Sequence, residues 1–433
     1  MKTARPTRIH RIGVIAAALL GSFNLALCQP SHSKPLPKPT LNLADLKQIS
    51  PETTSSSAKF SLDILAEVRK TTPGNVVISP YSVSAALLLA LNGAHGSTAD
   101  ALRHGLRLGS LPISRIDRDN KIFANTLSTD EIPDSDYNED NKRGIWVDMA
   151  NGLWVQQSFP LNKAYVALSQ DQFGAHVENV DFATPSAAGR INAWVSNKTH
   201  KLIPILVTPA DVAGSSVVLT NAVYFHGKWS APFEESQTKV QPFIEINGEQ
   251  NKVPMMFEED NMGYAETPVY QLAEIPYGYR RWNFLIVLPK SGHSIDDALT
   301  DLGTQGFSSA ARSCKDSLVD LSLPKFNIAG TYDLGAVLNK LGMGVAFSSY
   351  ADFTGIGPGG LQISRVLQKT VLDVDEKGTS AAAATAIMVT CSALPPDTVP
   401  IVPKVMKVDH PFFFAIQDAE TGMVLMEGVI EKP

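Results

Sequence analysis

Apolar residues recur with the period of an α-helix along several stretches of the chain. Residues 56–72 carry apolar side chains three or four positions apart, which predicts an amphipathic helix. Residues 80–93 begin with proline and end with glycine, as a helix with proline in its first turn and glycine at its stop would. The same spacing predicts helices over residues 161–173 and 185–196.

Strand patterns dominate the remaining chain. Residues 217–225 form a nearly continuous apolar run, which is typical of a strand covered on both faces. Further strands are predicted at 144–156, 253–257, 270–276, 283–288, 319–324, 370–375, 411–416 and 423–430. Because no repeat and no clean linker interrupts residues 56–433, the pattern predicts one mixed domain of the α+β class.

The N-terminal residues have the pattern of a targeting segment. Four basic residues precede an apolar stretch that ends at Leu27, so residues 1–28 are predicted to be a secretory signal. Residues 29–55 begin rich in Pro, Ser and Lys and are predicted to be a flexible leader. We therefore expect a secreted, extracellular protein. The alternative is a bacterial lipoprotein anchored through Cys28, although Leu27 is large for that cleavage site.

Composition and charge exclude several classes of function. The chain of 433 residues is 44% hydrophobic and has a formal net charge of −6, so no nucleic-acid partner is expected. Its three cysteines are too few for a disulfide scaffold. After the N-terminal segment, no stretch of about 18 apolar residues predicts a membrane span.

A search for catalytic chemistry finds no usable constellation. The sequence lacks a G-x-S-x-G nucleophile elbow, an H-E-x-x-H pair and any His/Cys cluster with zinc spacing. The glycines of residues 355–360 predict a turn, since no strand precedes them and no lysine follows. We therefore expect no enzyme activity, no catalytic residue, no metal and no cofactor.

Residues 376–393 do not resemble an ordinary core segment. Four consecutive alanines favour a helix, but a glycine precedes them and β-branched residues follow, which favour a strand. Read as a strand, one face is small at its beginning and β-branched at its end, so it could enter a crowded sheet at little steric cost. Prolines 395, 396, 400 and 403 prevent regular continuation. Composition alone leaves two readings open, an insertable strand and an exposed linker.

Several motifs, in order along the chain, resemble those of the serpins, the serine-protease-inhibitor family. The similar segments are residues 75–82, 93–98, 191–195, 199–203, 219–229, 323–326, 351–355 and 409–414, together with the hinge-like segment 376–385. The resemblance covers residues from about 60 to 433. It implies the serpin fold, with a large central mixed β-sheet, further sheets, about eight or nine helices and an exposed reactive-centre loop over residues 376–403.

The resemblance also implies a mechanism of suicide inhibition. A protease attacks the exposed loop and forms an acyl-enzyme, and the cut loop then inserts into the central sheet as a new strand. The hinge of that loop corresponds to Glu376, Gly378, Thr379, Ser380, Ala381, Ala382, Ala383, Ala384 and Thr385. The expected partner is a serine protease held in a covalent complex, and the alternatives are a non-inhibitory carrier or chaperone and an inhibitor of a cysteine protease.

Two further groups of residues match positions that control loop insertion in the family. The breach, where insertion begins, matches Lys325, Glu376 and Trp229, and the first two are expected to form an ion pair. The shutter, in the middle of the sheet, matches Ser79, Ser82, Asn221 and Gln368. Gln368 departs from the family, which usually has histidine there, so the pH dependence of that histidine is expected to be lost.

The loop length usual in the serpin family, counted from Glu376, implies a reactive bond between Ser392 and Ala393, with Cys391, Met388 and Leu394 as alternates. No Lys or Arg occurs from Gly378 to Pro403, which disfavours a trypsin-like target, because its acidic pocket needs a cation. An elastase-like or chymotrypsin-like target is expected.

The position at which some serpins bind sulfated polysaccharide matches the region of Arg115, Arg118 and Lys121. Asp117 and Asp119 interleave with these cations, so we expect a mixed solvated helix and no heparin-type cofactor. We expect the protein to act as a monomer.

Overall fold

The computed structural model describes residues 43–127, 145–278, 280–379 and 402–433, which lie within one compact unit. The signal, most of the leader and the hinge residues from Ser380 to Thr385 lie outside them, as do Met388, Cys391, Ser392, Ala393 and Leu394. The helices are α1 (Leu43–Leu46), α2 (Pro51–Thr71), α3 (Pro80–Leu91), α4 (Gly96–Gly105), α5 (Ile113–Leu127), α6 (Lys163–Phe173), α7 (Ser186–Lys198), α8 (Pro209–Val212), α9 (Ile295–Gln305), α10 (Phe307–Arg312) and α11 (Gly335–Leu338).

Strands make up most of the core. They are β1 (Val76–Ile78), β2 (Trp146–Gln156), β3 (His176–Val180), β4 (Val217–Lys228), β5 (Lys239–Ile244), β6 (Gln250–Glu266), β7 (Tyr270–Tyr277), β8 (Trp282–Pro289), β9 (Lys315–Pro324), β10 (Phe326–Asp333), β11 (Ile363–Asp375), β12 (Gly378–Thr379), β13 (Lys404–Lys407), β14 (Phe412–Asp418) and β15 (Val424–Ile430).

These strands form two sheets in the part of the chain that the structure describes. The first has six strands in the order β10-β11-β12-β4-β2-β3. It is mixed, because β11 runs parallel to β4 and β2 parallel to β3, while β10 runs antiparallel to β11 and β2 antiparallel to β4. The second has nine strands and follows the order β1-β15-β14-β8-β7-β6-β9-β13, with β5 attached to β6. The predicted central mixed sheet with a further sheet and surrounding helices is confirmed.

The six-stranded sheet is covered on both faces, which explains the continuous apolar run in β4. Val223 and Phe225 face the second sheet in one core cluster. Val218 and Ala222 face the other way and pack under α7, together with Ile191 and other residues of that helix. Because side chains alternate along a strand, burial of both faces requires apolar residues at nearly every position.

The start of the folded body differs from the sequence prediction. α2 begins at Pro51 because Ser50 caps it, with the Ser50 hydroxyl accepting from the Thr53 amide at 3.3 Å and a proline in the first turn. Leu46 and Ile49 are buried just before it. The flexible leader predicted for residues 29–55 is therefore wrong from residue 43 onward. The Pro/Ser-rich composition of the first residues was extended too far along the chain, although Leu46, Ile49 and the Ser50 cap already favour a packed helix.

A polar contact also ties this early segment to the body. The Asp119 carboxylate of α5 accepts hydrogen bonds from the Ser50 amide at 3.0 Å and the Thr53 hydroxyl at 2.8 Å. Among the described residues, no helix is long and apolar enough to cross a membrane.

Candidate functional site

β4 and β11 separate toward one end of the six-stranded sheet, and the hinge enters there. The two strands pair in parallel from Ile363–Val217 to Val371–Tyr224. Beyond that point, the two residues of β12 lie between them: Thr379 pairs with Val374 on one side and Gly227 on the other. The first residues of the predicted hinge are thus already part of the sheet.

Gly378 occupies a position that only glycine fits. Its φ is +149°, and a Cβ built on it would meet the Gly227 carbonyl oxygen at 2.1 Å and the Lys228 Cα at 2.7 Å. Backbone atoms cannot yield as a flexible side chain can, so any larger residue would force the strands apart. Gly378 therefore allows the chain to turn into the narrow space between β4 and β11.

Thr379 is completely buried at the entrance to this space. Its hydroxyl makes a hydrogen bond with the Tyr277 hydroxyl of β7 in the second sheet. Burial raises the pKa of Tyr277 well above its ordinary value, so the phenol stays protonated and able to donate. A small residue that can hydrogen-bond therefore suits this position.

The predicted ion pair is present beside the hinge. Lys325 Nζ lies 2.6 Å from Glu376 Oε2, and the Thr238 hydroxyl donates to Glu376 Oε1 at 2.7 Å. The side chain of Glu376 is 8% exposed, whereas that of Lys325 is 35% exposed. Solvent therefore reaches the Lys325 side of the pair, and the attraction between the two charges is partly screened.

The pKa values of this pair move apart. Burial alone would raise the pKa of Glu376, but hydrogen bonds from Lys325 and Thr238 outweigh it and lower that pKa below its ordinary value. Burial alone would lower the pKa of Lys325, but Glu376 outweighs it and raises that pKa. Both groups consequently stay charged over the whole neutral range.

Trp229 covers the turn that leads into the hinge. Its indole Nε1 donates to the Asp375 carbonyl at 2.8 Å, and its ring stacks on Tyr277 with centroids 4.4 Å apart. Its amide donates to the Lys377 carbonyl at 3.0 Å, and the Phe233 amide donates to the Glu376 carbonyl at 2.8 Å. The three predicted breach residues thus surround one backbone turn, together with Thr238 and Phe233, which the sequence analysis missed.

The four predicted shutter residues also meet, in the middle of the same sheet. Gln368 Nε2 donates to the Ser79 carbonyl at 2.9 Å and to Asn221 Oδ1 at 2.7 Å, while Gln368 Oε1 accepts from the Ser79 amide at 3.2 Å. Asn221 Nδ2 donates to the Ser82 hydroxyl. All four residues are fully buried.

Asn151 of β2 completes this cluster and was not predicted. Its Oδ1 accepts from Asn221 Nδ2 at 2.6 Å and from the Ser82 hydroxyl at 3.1 Å. Asn151 and Asn221 face each other in the β2–β4 register, so two asparagines inside two buried strands were the available signal. None of the five side chains titrates near neutral pH, and the cluster binds β2, β4, β11 and the start of α3 together.

Part of the charge on α5 is already paired within the protein. Arg118 lies 2.8 Å from the buried Asp119, and Lys121 lies 3.0 Å from Asp171 of α6. Such pairs reduce the positive field available to a polyanion. Among the described residues, no group of His, Cys, Asp and Glu could hold a metal ion.

Comparison with known proteins agrees with this geometry. A sequence model of the serpin (serine protease inhibitor) family matches residues 55–433. A serpin-like protein of Thermococcus kodakarensis is 33% identical over 377 residues, covering 86% of this chain and 84% of that protein. Iripin-2 of Ixodes ricinus is 31% identical over 383 residues, covering 88% of this chain and 93% of that protein.

Solved structures give the same result. The crystal structure of Serpin48 from the insect Tenebrio molitor has a TM-score of 0.74 at 31% identity, covering 88% of this chain and 98% of that one. The complex of thyroxine-binding globulin with thyroxine also has a TM-score of 0.74, at 26% identity, covering 88% of this chain and 99% of that one. The chain belongs to the serpin family.

Proposed function

We propose that this protein is a suicide-substrate inhibitor of serine endopeptidases that traps its target as an acyl-enzyme. The observation that carries the proposal is the position of Gly378 and Thr379 between β11 and β4. The space that the cut loop has to enter begins at these two residues, and the residues that follow, Ser380 to Thr385, are all small. Bulky, charged or proline residues, which would oppose entry, are absent from that stretch of sequence.

Loop insertion would supply the driving force. β4 and β11 have 12 and 13 residues, which sets the length of strand that can pair between them. Insertion exchanges solvated backbone groups for ladder hydrogen bonds at about 1 kcal/mol each, so a full-length insertion releases on the order of 10 to 15 kcal/mol. That is comparable to the whole stability of a typical domain and is enough to distort a tethered protease.

The target is proposed to have a small or apolar specificity pocket. The reactive bond is proposed between Ser392 and Ala393, with Cys391, Met388 and Leu394 as alternates, and none of these residues is basic. An elastase-like or chymotrypsin-like enzyme fits these side chains, whereas a trypsin-like enzyme needs Lys or Arg before the cut.

Mixing the purified protein with elastase, chymotrypsin and trypsin tests the proposal. We expect a covalent complex that survives denaturing electrophoresis with elastase or chymotrypsin and not with trypsin, and mass spectrometry of the released peptide gives the bond that is cut. Cleavage without a complex would favour the alternative of a non-inhibitory serpin that binds a ligand, as thyroxine-binding globulin binds thyroxine. If a complex forms only with a cysteine protease, the target belongs to the cysteine proteases and not to the serine proteases.

The protein is proposed to be secreted after removal of residues 1–28, because of the basic and apolar pattern there. Mass spectrometry of the mature protein tests this. A chain that begins at Gln29 without added mass supports secretion, whereas a lipid mass on Cys28 supports anchoring.

A further inference from the structure

A cavity of about 350 Å³ opens beside the hinge, between the segment after β4, the middle of β6 and the end of β7. Much of its wall is apolar: Phe233, Met262, Ile275 and Pro276. Ligand-binding cavities in proteins measure roughly 300–1,000 Å³ and combine apolar walls with a few polar groups. This cavity therefore has room for a ligand of one or two rings.

Two carboxylates face the cavity from β6. Glu258 and Asp260 line it together with Met262, and since these residues alternate along the strand, their side chains share one face. Neither carboxylate lies within ion-pair distance of a Lys, Arg or His among the described residues, and Glu258 has no hydrogen-bond donor among them. The exposed Arg280 is the cation that contributes to the lining.

The surroundings of Glu258 disfavour its negative charge. Burial, followed by repulsion from Asp260 and Glu234, raises its pKa to about 7. A carboxylate in this position binds a proton more readily than an exposed one, because burial and the two neighbouring negative charges disfavour its ionised form. A ligand that brings a positive charge into the cavity would replace that proton and gain a charge-assisted hydrogen bond.

We propose that this cavity binds an organic cation, a primary ammonium or amidinium group carried on an apolar body of one or two rings. The cationic group lies between Glu258 and Asp260, and the apolar body packs on Phe233, Met262 and Ile275. A free amine and the Lys or Arg side chain of a peptide share this chemistry. A bare metal ion does not fit, since the described residues contain no set of ligands for one.

The cavity shares a wall with the turn that holds the hinge. Phe233 lines the cavity, its amide donates to the Glu376 carbonyl at 2.8 Å, and its ring contacts that of Trp229 with centroids 6.2 Å apart. Ser230 lines it as well, and its hydroxyl donates to the Gly278 carbonyl at 2.6 Å. Because a ligand here touches the anchoring segment, binding has to be measured directly and not through inhibition.

Isothermal titration calorimetry of the intact protein with three indole probes of similar shape tests the proposal. Tryptamine carries the ammonium group, tryptophol is neutral and indole-3-propionic acid is an anion. We expect tryptamine to bind at least tenfold more tightly than tryptophol at pH 8, and the acid not to bind. The preference for tryptamine should decrease below pH 7, as Glu258 becomes protonated.

Variants then locate the site. Glu258→Gln and Asp260→Asn should each weaken tryptamine binding at least tenfold. Glu259→Gln, an exposed residue between them on the opposite face of β6, should leave it unchanged. Melting curves check that all three variants are folded. Equal affinity for tryptamine and tryptophol would overturn the proposal, as would a tenfold weakening of tryptamine binding in Glu259→Gln.

A blocked peptide, acetyl-Gly-Phe-Arg-amide, distinguishes the two sources of the cation. Binding of tryptamine alone assigns the cavity to free amines, and binding of the peptide alone assigns it to a basic side chain. If neither probe binds saturably at millimolar concentration, the cavity is not a cation site.

Discussion

Two polar clusters lie along the same strand, β11, and they differ in nearly every physical respect. At its end, the pair of Lys325 and Glu376 is charged and reached by solvent. In its middle, Gln368 belongs to a network of neutral side chains that are fully buried. The charged pair holds the turn before the hinge, whereas the neutral network holds β4 and β11 together.

The difference indicates where resistance to loop insertion resides. An ion pair in contact with water contributes little free energy and depends on salt and pH. A buried network of polar side chains that hydrogen-bond to one another is costly to break, because water cannot replace a lost partner. We therefore infer that the charged end is easily opened and sets the entry point, and that the neutral middle sets the barrier.

The largest effect is expected where the hinge enters the sheet. Thr379→Arg brings a long cation into a space in which Thr379 is completely buried, so the strand cannot extend and the cut loop is released. The covalent complex with the target protease should be lost, and the protein should be turned over as a substrate. Gel electrophoresis of samples taken over time measures both the covalent complex and the cleaved protein. Thr379→Ser is the matched control and should still trap, and a complex with the arginine variant contradicts the entry point assigned here.

The neutral network should give the next largest effect. Asn221→Ala removes the donor to Ser82 and Asn151 and the acceptor for Gln368, which leaves buried groups unpaired. The free energy of unfolding should fall by about 3 kcal/mol. Because no member titrates, urea unfolding should show the same loss at pH 5 and pH 8. Gln241→Ala, an exposed amide on β5, is the control, and a loss that varies with pH would refute the distinction between the clusters.

Glu427 sharpens the comparison, because it is a buried group that can ionise and it lies close to the neutral network. Glu427 of β15 pairs with Ile78 beside Ser79, accepts a hydrogen bond from Ser61, and has its pKa raised to about 8 by burial. Below the ordinary pKa of Glu, the carboxyl is protonated both folded and unfolded, so it does not affect stability. As the pH rises, the unfolded chain ionises first, and stability falls until the pH passes about 8.

Glu427→Gln should therefore raise the free energy of unfolding by about 2 kcal/mol at pH 8 and have little effect at pH 4. Gln keeps an acceptor for Ser61 but carries no charge. Thermal unfolding at both values of pH measures the difference. Glu259→Gln, an exposed carboxyl, should change stability at neither pH, and an equal gain for Glu427→Gln at pH 4 would rule out ionisation as the cause.

The smallest effect is expected at the charged pair. Lys325→Met should cost less than about 1 kcal/mol at pH 7, because the pair is partly exposed. The lowered pKa of Glu376 makes its contribution present above the ordinary pKa of Glu and lost as the pH falls through the lowered value. The raised pKa of Lys325 makes its contribution present below the ordinary pKa of Lys and lost in strong alkali.

Urea unfolding of Lys325→Met at pH 7 and pH 3 measures this prediction, with the exposed Lys407→Met as control. The difference from wild type should shrink at pH 3. A cost at pH 7 as large as that of Asn221→Ala would mean that the charged end, and not the neutral middle, sets the barrier.

The sequence predicted those parts of the site that depend on residue type at a position in the chain. Asn221 could be assigned because a motif carries it, Gln368 because it occupies the position at which the family usually has histidine, and the continuous apolar run predicted the buried strand β4. Asn151, Thr238 and Phe233 could not, since each acts through a partner far away in sequence: Asn151 through the register of β2 on β4, and the other two through Glu376.

The folded start of the body and the cavity were missed for a related reason. Ser50 and Pro51 carry a local capping signal, but whether that helix packs depends on Asp119, 69 positions away. The cavity depends on how β6 and β7 diverge, and Glu258 in isolation looks like an ordinary exposed charge on a strand. Alternation along β6 places Glu258 and Asp260 on one face, but only the fold shows that neither forms an ion pair among the described residues.

The position of β1 at the edge of the nine-stranded sheet bears on how the protein is made. β1 pairs with β15, and Asn75 Oδ1 beside it accepts a hydrogen bond from the Glu431 amide, 356 positions along the chain. At ribosomal speeds of about 5–20 residues per second, β1 waits on the order of tens of seconds for this neighbour to be synthesised. Throughout that interval the three apolar residues of β1 lack their partner strand, so this edge of the sheet can close only after the last strand of the chain has been made.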